Sequence, residues 1–209
     1  MPTRFSKIDE LTRPDHTFLE PEDECYYLGD YYAGRGFGYS PMNNLINNLR
    51  KPMDRRNRPD EWRHKESAIL SCGRMLREGL NEDWLAAATL VPIPSSKTRG
   101  DAEYDDRLPR ILQELGRGQQ FDIRELVVMT RNVPQSHLAG ERVSIPELIE
   151  SMGVDEARAA PAPQSIGIFD DVLTTGRHYK AVQAVLLERF PDILVVGIFV
   201  VRRVPPALL

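Results

Sequence analysis

The chain has 209 residues, of which 41% are hydrophobic and 28% charged, and its formal net charge is −4 at pH 7. The length suits one domain, or one domain with a small appendage, and the acidic balance argues against nucleic acid as the main ligand because phosphate backbones select basic surfaces. Two cysteines, Cys25 and Cys72, are too few for a disulfide framework or a four-cysteine zinc site, and the four histidines show no spacing typical of metal ligands.

The N-terminal part of the chain is polar at first and then aromatic. Residues 1–24 predict an extended arm, and residues 25–40, in which aromatic side chains flank glycines, predict a short hairpin or platform. The basic block 50–58 is interpreted as a solvated loop, with nucleic-acid contact as the alternative. Residues 60–80 predict a helix, because apolar side chains recur there at helical spacing. We find no signal-peptide core, and the longest apolar run, Ile193–Val201, is too short to cross a bilayer, so we expect a cytoplasmic protein without membrane contact.

From residue 88 onward, short apolar runs alternate with helical segments. Strands are predicted at Ala88–Ile93, Leu126–Met129, Ile166–Phe169 and Ile193–Val201, and helices at Asp101–Leu115, Ile145–Met152 and 176–189. Fully apolar short strands separated by helices indicate a parallel sheet with helices on both faces. The predicted fold class is therefore α/β, with a core over residues 85–209 and an N-terminal arm, aromatic segment and helix over residues 1–84.

The most informative segment is the strand at Ile166–Phe169 together with the residues directly after it. Two carboxylates, Asp170 and Asp171, end the apolar run, and the segment 174–176 (Thr-Thr-Gly) leads into a helix. Free backbone N–H groups at a helix N-terminus bind anions, and carboxylates accept hydrogen bonds from sugar hydroxyls or face a metal. The order strand, carboxylate pair, tight loop, helix therefore predicts a site for a sugar phosphate at a strand's carboxyl end.

The carboxylate pair has three other interpretations. A pair of aspartates after a strand is often a solvated strand end. A phosphatase of the haloacid-dehalogenase type requires Asp-x-Asp, whereas Val172 stands in the third position. A receiver domain has its acidic pair near the start of the chain, whereas Asp170 and Asp171 lie near the end of this one.

Residues 166–176 resemble the 5-phosphoribosyl 1-diphosphate (PRPP) binding motif of type I phosphoribosyltransferases. That motif has four apolar residues, two acidic ones, two more apolar residues and then Thr-Thr-Gly or a close variant, and every class position matches. The resemblance implies that Asp170 and Asp171 hold the ribose 2- and 3-hydroxyls at the catalytic centre. It also implies a loop around the 5-phosphate, formed by Val172, Leu173, Thr174, Thr175, Gly176, Arg177 and His178.

His178 departs from the family pattern, which usually has Thr or Ser at this position. Histidine can donate a hydrogen bond to phosphate, and a nearby dianion favours the protonated ring. We therefore expect binding to strengthen as the pH falls from neutral. In the alternative interpretation the ring points outward and packs on the helix.

The resemblance assigns two further loops to the same cleft. The loop after Ala88–Ile93 is expected to bind diphosphate through Ser95, Ser96, Lys97 and Thr98. Residues 130–144 are expected to form the flexible loop that closes over the site, with Arg131, Gln135, His137 and Arg142. Val-Pro-x-Pro at 91–94 and the Arg, Gln and Glu-Arg spacing of residues 131–142 are similar to the ComF-like branch of the family. The four-cysteine zinc ribbon of many ComF-like proteins is missing from this sequence.

The implied function is a Mg²⁺-dependent phosphoribosyltransferase that transfers ribose 5-phosphate from PRPP to a nitrogen nucleophile such as a nucleobase. Mg²⁺ is expected to be bound mainly through PRPP, with no metal site made by the protein alone. Lys97 and Arg142, then Arg131 and Arg99, are the candidates to stabilise the leaving diphosphate. Thr174 stands where hypoxanthine-guanine enzymes have an aspartate, which argues against that activity.

Two functions of other classes stay open. One is a non-catalytic PRPP- or nucleotide-binding regulator or effector subunit of a larger system, and the other is a nucleic-acid-associated protein of the ComF type. By family analogy the N-terminal region is a hood over the nucleophile, and the protein is a homodimer. The N-terminal arm is the expected contact for a protein partner.

Overall fold

The computed structural model describes residues 4–133 and 143–205, and its centre is a six-stranded sheet in the order β1-β2-β8-β7-β3-β4. Within these residues the strands are β1 (Ser6–Lys7), β2 (Glu24–Tyr32), β3 (Thr89–Pro92), β4 (Asp122–Ile123), β5 (Val127–Met129), β6 (Met152–Val154), β7 (Ser165–Leu173) and β8 (Leu194–Val204). The α-helices are α1 (Pro41–Leu49), α2 (Pro59–Gly79), α3 (Glu82–Ala87), α4 (Arg107–Leu115), α5 (Ile145–Glu150) and α6 (Arg177–Arg189). Neighbouring strands of the large sheet run parallel, except that β1 is antiparallel to β2. The α/β class with a mostly parallel central sheet is thus confirmed.

The apolar runs of the sequence form the middle of this sheet. β3, β7 and β8 are the strands predicted from those runs, and they are neighbours in the sheet. A strand that is buried on both faces needs apolar side chains on both, so its sequence is a continuous apolar run. β7 and β8 are longer than predicted, since each continues past its apolar run into polar residues. α2 and α6 lie within a residue of their predicted bounds.

The aromatic segment forms a strand of the central sheet instead of the expected hairpin or platform. β2 pairs in parallel with β8, with Cys25 opposite Gly197. A Cβ at Gly197 would lie 2.7 Å from the Cys25 Sγ, so the glycine makes room for the buried cysteine. The predicted N-terminal part, residues 1–84, and the predicted core, residues 85–209, therefore both contribute strands to one sheet.

The N-terminal arm packs on the rest of the protein. Ile8 is buried, and its N–H donates to the Cys25 carbonyl at 2.8 Å. His16 and Leu19 are also buried. The polar composition of residues 1–24 predicts an arm, but it does not reveal these inward-facing side chains.

The segment around Leu126–Met129 does not join the parallel sheet, contrary to the prediction. β5 pairs antiparallel with β6 in a separate two-stranded sheet. The place beside β3 is taken by β4, two residues long, and the Thr89 hydroxyl contacts the Asp122 carboxylate at 2.6 Å. A two-residue strand with one aspartate, such as Asp122–Ile123, carries no apolar-run signal, so hydropathy could not identify it.

Helix α4 starts at Arg107, six residues later than the predicted Asp101. The carboxylates of Asp101 and Asp105 accept hydrogen bonds from the N–H groups of Glu103 and Arg107, at 2.8 and 3.1 Å. Such local bonds compete with helix formation and favour turns. α5 likewise ends at Glu150, and Met152 begins β6.

The helices form two groups on opposite faces of the sheet. The connection from β3 through α4 to β4 and that from β7 through α6 to β8 run in opposite directions along the sheet. Because parallel crossovers are right-handed, α4 and α6 cover opposite faces. α2 packs along α4, and α5 packs along α6. None of the helices in residues 4–133 and 143–205 has the length and apolar character needed to cross a membrane.

We predict that Gly73→Ala destabilises the α2–α4 contact. A Cβ at Gly73 would lie 2.6 Å from the Glu114 Cβ and 2.9 Å from the Ile111 carbonyl oxygen. Alanine is better than glycine in a helix by about 1 kcal/mol, but overpacking costs about 1–3 kcal/mol, and neither neighbouring atom can rotate away. Urea unfolding should show a net loss, whereas Gly100→Ala, with open space at the Cβ, should change the free energy of unfolding by less than about 0.5 kcal/mol. A stabilised Gly73→Ala protein would contradict the close packing.

Candidate functional site

The carboxyl ends of β3 and β7 lie side by side. Pro92 pairs with Phe169, and the Ile93 N–H donates to the Phe169 carbonyl at 2.9 Å. The loop that begins at residue 93 and the carboxylate pair after Phe169 therefore leave the sheet at one edge. Parallel sheets bind their ligands at this edge.

Asp170 and Asp171 lie within β7, which stays paired with β8 as far as Leu173. The two carboxyl groups interact with each other and with the charges of Arg50 and Arg107, but they differ in burial and in direct hydrogen bonds. Asp171 is fully buried, whereas Asp170 is half-buried. The Asp170 Oδ1 accepts the Asp171 N–H at 2.8 Å, and the Asp170 and Asp171 carboxyl groups also interact with each other.

Two arginines hold the buried Asp171 carboxylate. Arg50, at the end of α1, donates through Nη2 to Oδ1 at 2.8 Å and through Nε to Oδ2 at 3.0 Å. Arg107, the first residue of α4, donates through Nε to Oδ2 at 2.8 Å. A bidentate guanidinium and a second charge-assisted bond satisfy a carboxylate in a dry environment.

The charges continue away from Asp171 as a buried network. The Arg107 Nη1 contacts the Asp105 Oδ2 at 2.8 Å, and the same oxygen accepts a bond from the Lys65 Nζ at 2.7 Å. Lys65 is fully buried and also donates to the Lys51 carbonyl at 2.8 Å. Each buried charge thus has a partner of opposite sign, which offsets its loss of hydration.

The surroundings separate the acidities of the two aspartates. Burial opposes ionisation of Asp171, but Arg107 and Arg50 outweigh it and hold the pKa of this carboxyl far below its usual range. Burial and the neighbouring negative charge of Asp171 raise the pKa of Asp170 to about 7. Asp171 is therefore a fixed anion, and Asp170 is the carboxyl that can change its charge near neutral pH.

The loop after β7 forms a tight turn into α6. Gly176 has φ +84°, in the left-handed region that favours glycine, and it caps α6 without a side-chain hydrogen bond. The N–H groups of Thr174, Thr175 and Gly176 donate to none of the described residues. Arg177 donates through Nη1 to the Val143 carbonyl at 2.9 Å. The predicted loop thus presents unpaired donors at the positive end of a helix, as an anion site requires.

His178 is enclosed near cations. Burial, and then the charges of Arg177 and Arg50, lower the pKa of His178 to about 4, so the ring is neutral at neutral pH. Without bound phosphate, His178 therefore has a low affinity for protons. The expected rise of its pKa on phosphate binding stays a prediction.

The loop after β3 lines a cleft of about 260 Å³. Ser95, Lys97 and Thr98 lie on its wall, but Asp170, Asp171 and residues 173–178 do not. The Lys97 Nζ pairs with Glu103 at 2.9 Å, and Arg99 pairs with Glu125 at the same distance.

The expected closing loop is described only at its beginning. Val133 donates its N–H to the Ser96 carbonyl at 3.0 Å, so this loop starts beside the loop after β3. Arg131 is exposed, and its Nη2 lies 3.7 Å from Glu150. The other predicted members, Gln135, His137 and Arg142, lie outside the described residues.

Sequence reasoning misses the groups that surround Asp171. Arg50 belongs to the basic block interpreted as a solvated loop, and its guanidinium instead reaches the carboxylate pair. Arg107 and Lys65 stand in segments predicted to be ordinary helices. A lysine or arginine on an apolar helix face is a weak signal of burial, and only the tertiary fold identifies its partner.

Comparison with known proteins adds no assignment. A scan against protein-family models finds no match to this chain, and a search of curated proteins finds none. The candidate site is therefore interpreted from its geometry and its residues.

We predict that Asp171→Asn destabilises the fold strongly. The substitution leaves Arg50 and Arg107 facing a neutral amide in a buried position, which should cost about 3–5 kcal/mol of unfolding free energy. Asp192→Asn, at an exposed position, is the matched control and should change stability by less than about 0.5 kcal/mol. Urea unfolding of both variants tests this, and a loss below about 1 kcal/mol for Asp171→Asn would mean that water compensates the two guanidinium groups, whose side chains are 30% and 21% exposed.

We predict that Asp170→Asn becomes more stable relative to the wild type as the pH rises. The folded-state pKa of about 7 lies above the ordinary value of 3.8, so the folded protein holds this proton more tightly than the unfolded chain does. The contribution of Asp170 to stability is therefore complete below about pH 3.8 and is lost between there and about pH 7. Asparagine does not titrate. Unfolding free energies of both proteins across this range should diverge, and a constant difference would show that Asp170 titrates normally.

Proposed function

We propose that this chain is a type I phosphoribosyltransferase that binds PRPP with Mg²⁺ and transfers ribose 5-phosphate to a nitrogen nucleophile such as a nucleobase. One observation carries the proposal: a carboxylate pair, a left-handed glycine turn and a helix succeed one another at the carboxyl edge of a parallel sheet. The loop from Ser95 to Thr98 leaves the adjacent strand at that same edge.

The 5-phosphate binds in the loop 173–178. The unpaired N–H groups of Thr175 and Gly176 donate to its oxygens, and the α6 dipole favours its negative charge. Arg50 lies close enough to His178, the last residue of this loop, for its guanidinium charge to lower the pKa of the histidine. A phosphate dianion in the loop is therefore close to a cation.

In this proposal, Asp170 is the main ribose contact, and Asp171 supports it. Asp170 receives no hydrogen bond from an arginine and accepts one from a ribose hydroxyl, whereas the oxygens of Asp171 are already occupied by Arg50 and Arg107. The ionised Asp170 also stabilises positive charge that develops on ribose C1 as the bond to diphosphate breaks.

The diphosphate binds along the loop from Ser95 to Arg99. Lys97 is paired with Glu103, whose side chain is 63% exposed, so the lysine can exchange this partner for a diphosphate oxygen at little cost. Arg99 can likewise exchange its ion pair with Glu125 for one with a diphosphate oxygen. Mg²⁺ held through the diphosphate would supply positive charge beside Lys97 and Arg99. A cation carried mainly by the substrate phosphates and water would have Asp170 as the available carboxylate, because Arg50 and Arg107 occupy the oxygens of Asp171.

The nucleophile binds under the segment from residue 33 to Arg50. β2 is parallel to β8, so this segment leaves the sheet at the same carboxyl edge, and Arg50 reaches Asp171 from its far end. Phe37 and Tyr39 are about half exposed there and offer faces on which a heterocycle can stack.

A second function, a non-catalytic PRPP sensor, is favoured by one observation. Arg50 and Arg107 together bring two positive charges to Asp171, which leaves little net negative charge to stabilise a cationic transition state. A sensor needs the ribose and phosphate contacts but not that stabilisation.

We predict that the wild type releases diphosphate from PRPP and Mg²⁺ in the presence of a suitable nucleophile. The assay uses a panel of a purine, a pyrimidine, an aromatic amine and ammonia. Asp170→Asn should lower the rate about a hundredfold, because the charge next to C1 is lost, whereas Asp192→Asn should match the wild type.

Calorimetry with PRPP separates the outcomes of this assay. Binding without diphosphate release for any nucleophile would support the sensor. An absence of PRPP binding would remove both functions.

A further inference from the structure

The segment from Asp15 to Asp23, called here the back segment, lies against the loop 174–176. The Nδ1 of His16 contacts the Thr174 carbonyl oxygen, and the Phe18 N–H donates to the Thr175 carbonyl at 2.9 Å. A carbonyl oxygen only accepts hydrogen bonds, so the Nδ1 of His16 carries the proton. Burial lowers the pKa of His16, which favours the neutral ring with this tautomer.

These contacts fix the direction of the loop's donors. In a planar trans peptide unit, the C=O and the following N–H point in opposite directions. The Thr174 carbonyl faces His16, so the Thr175 N–H points away from the back segment. By the same argument, the Gly176 N–H points away from Phe18. The two unpaired donors therefore face the open side of the loop.

The back segment is itself anchored to the sheet and to α6. Asp23 is buried, and the Lys180 Nζ lies 3.0 Å from both of its carboxylate oxygens. Asp15 pairs with Arg202 of β8 at 3.0 Å. Leu19 packs on Gly176, where an added Cβ would lie 2.9 Å from the leucine Cδ2. These anchors keep His16 at a fixed position behind the loop.

We infer that His16 is a positioning residue for the phosphate site. Its hydrogen bond holds the 174–175 peptide so that the Thr175 N–H faces the anion, and Phe18 does the same for the 175–176 peptide. This inference rests on the phosphate site of the proposed function but not on phosphoribosyl transfer. It assigns to the N-terminal part of the chain a role in binding that the loop sequence alone does not reveal.

Two substitutions separate the hydrogen bond from packing. His16→Phe keeps a ring of similar size and loses the donor. His16→Asn loses the ring but keeps an N–H donor at the same number of bonds from the backbone as Nδ1. His64→Ala, an exposed histidine of α2, is the control for loss of an imidazole elsewhere.

The test monitors the backbone amide signals of Thr175 and Gly176 by NMR while inorganic phosphate, and then ribose 5-phosphate, is added. We expect both amides to shift in the wild type and in His64→Ala. His16→Phe should bind about tenfold more weakly, the equivalent of about 1.4 kcal/mol, and His16→Asn should stay within about threefold of the wild type. The opposite order, with Phe binding normally and Asn weakly, would show that His16 only packs.

A measurement on the wild type keeps the inference testable if His16→Phe does not fold. Phosphate should slow hydrogen exchange at the Thr175 and Gly176 amides, and its failure to do so would overturn the inference. Phosphate binding at these amides without diphosphate release from PRPP would instead remove the transferase function and leave the role of His16 intact.

Discussion

The candidate site depends on the ion pairs that Arg50 and Arg107 form with the buried carboxylate of Asp171. An isolated charge at this position would be too costly to bury, so the fold supplies Arg50 from α1 and Arg107 from α4. Arg50 lies at the end of α1 and Arg107 at the start of α4, so the two arginines come from separate parts of the chain. The ion pairs thus tie the central strand to the N-terminal region and to the helix after β3 at one point.

The same arrangement gives two adjacent aspartates different tasks. Asp171 acts as a structural anion because both its oxygens are occupied. Asp170 has no direct hydrogen bond from either arginine, and its pKa is raised to about 7, so its charge can change near neutral pH. A pair that looks symmetrical in sequence is therefore asymmetrical in chemistry, because Arg50 and Arg107 donate their hydrogen bonds to Asp171 and not to Asp170.

Elements whose stability is local could be predicted from sequence. The apolar runs of β3, β7 and β8 and the periodic pattern of α2 identified the core, and the Asp-Asp-loop-helix order identified the candidate site. Partners chosen by tertiary contact could not be predicted. Arg50 lies 121 residues from Asp171 in the chain and Arg107 lies 64, and no local pattern joins them. β2 could not be predicted for a similar reason. Its half-buried aromatic segment forms a strand by pairing with the edge of β8, which is far away in sequence.

The strand order also affects how the chain folds. β2 lies near the beginning of the described sequence, yet its inner neighbour is β8, with Cys25 opposite Gly197. During synthesis, β2 has no partner on that side until nearly the whole domain has emerged from the ribosome, and long-range parallel pairing is intrinsically slow. The unpaired edges of β2 and β7 are exposed together in that interval. If synthesis stops before β8, the edges of β2 and β7 stay unpaired and can aggregate. Insertion of β8 between them is the step that completes the sheet.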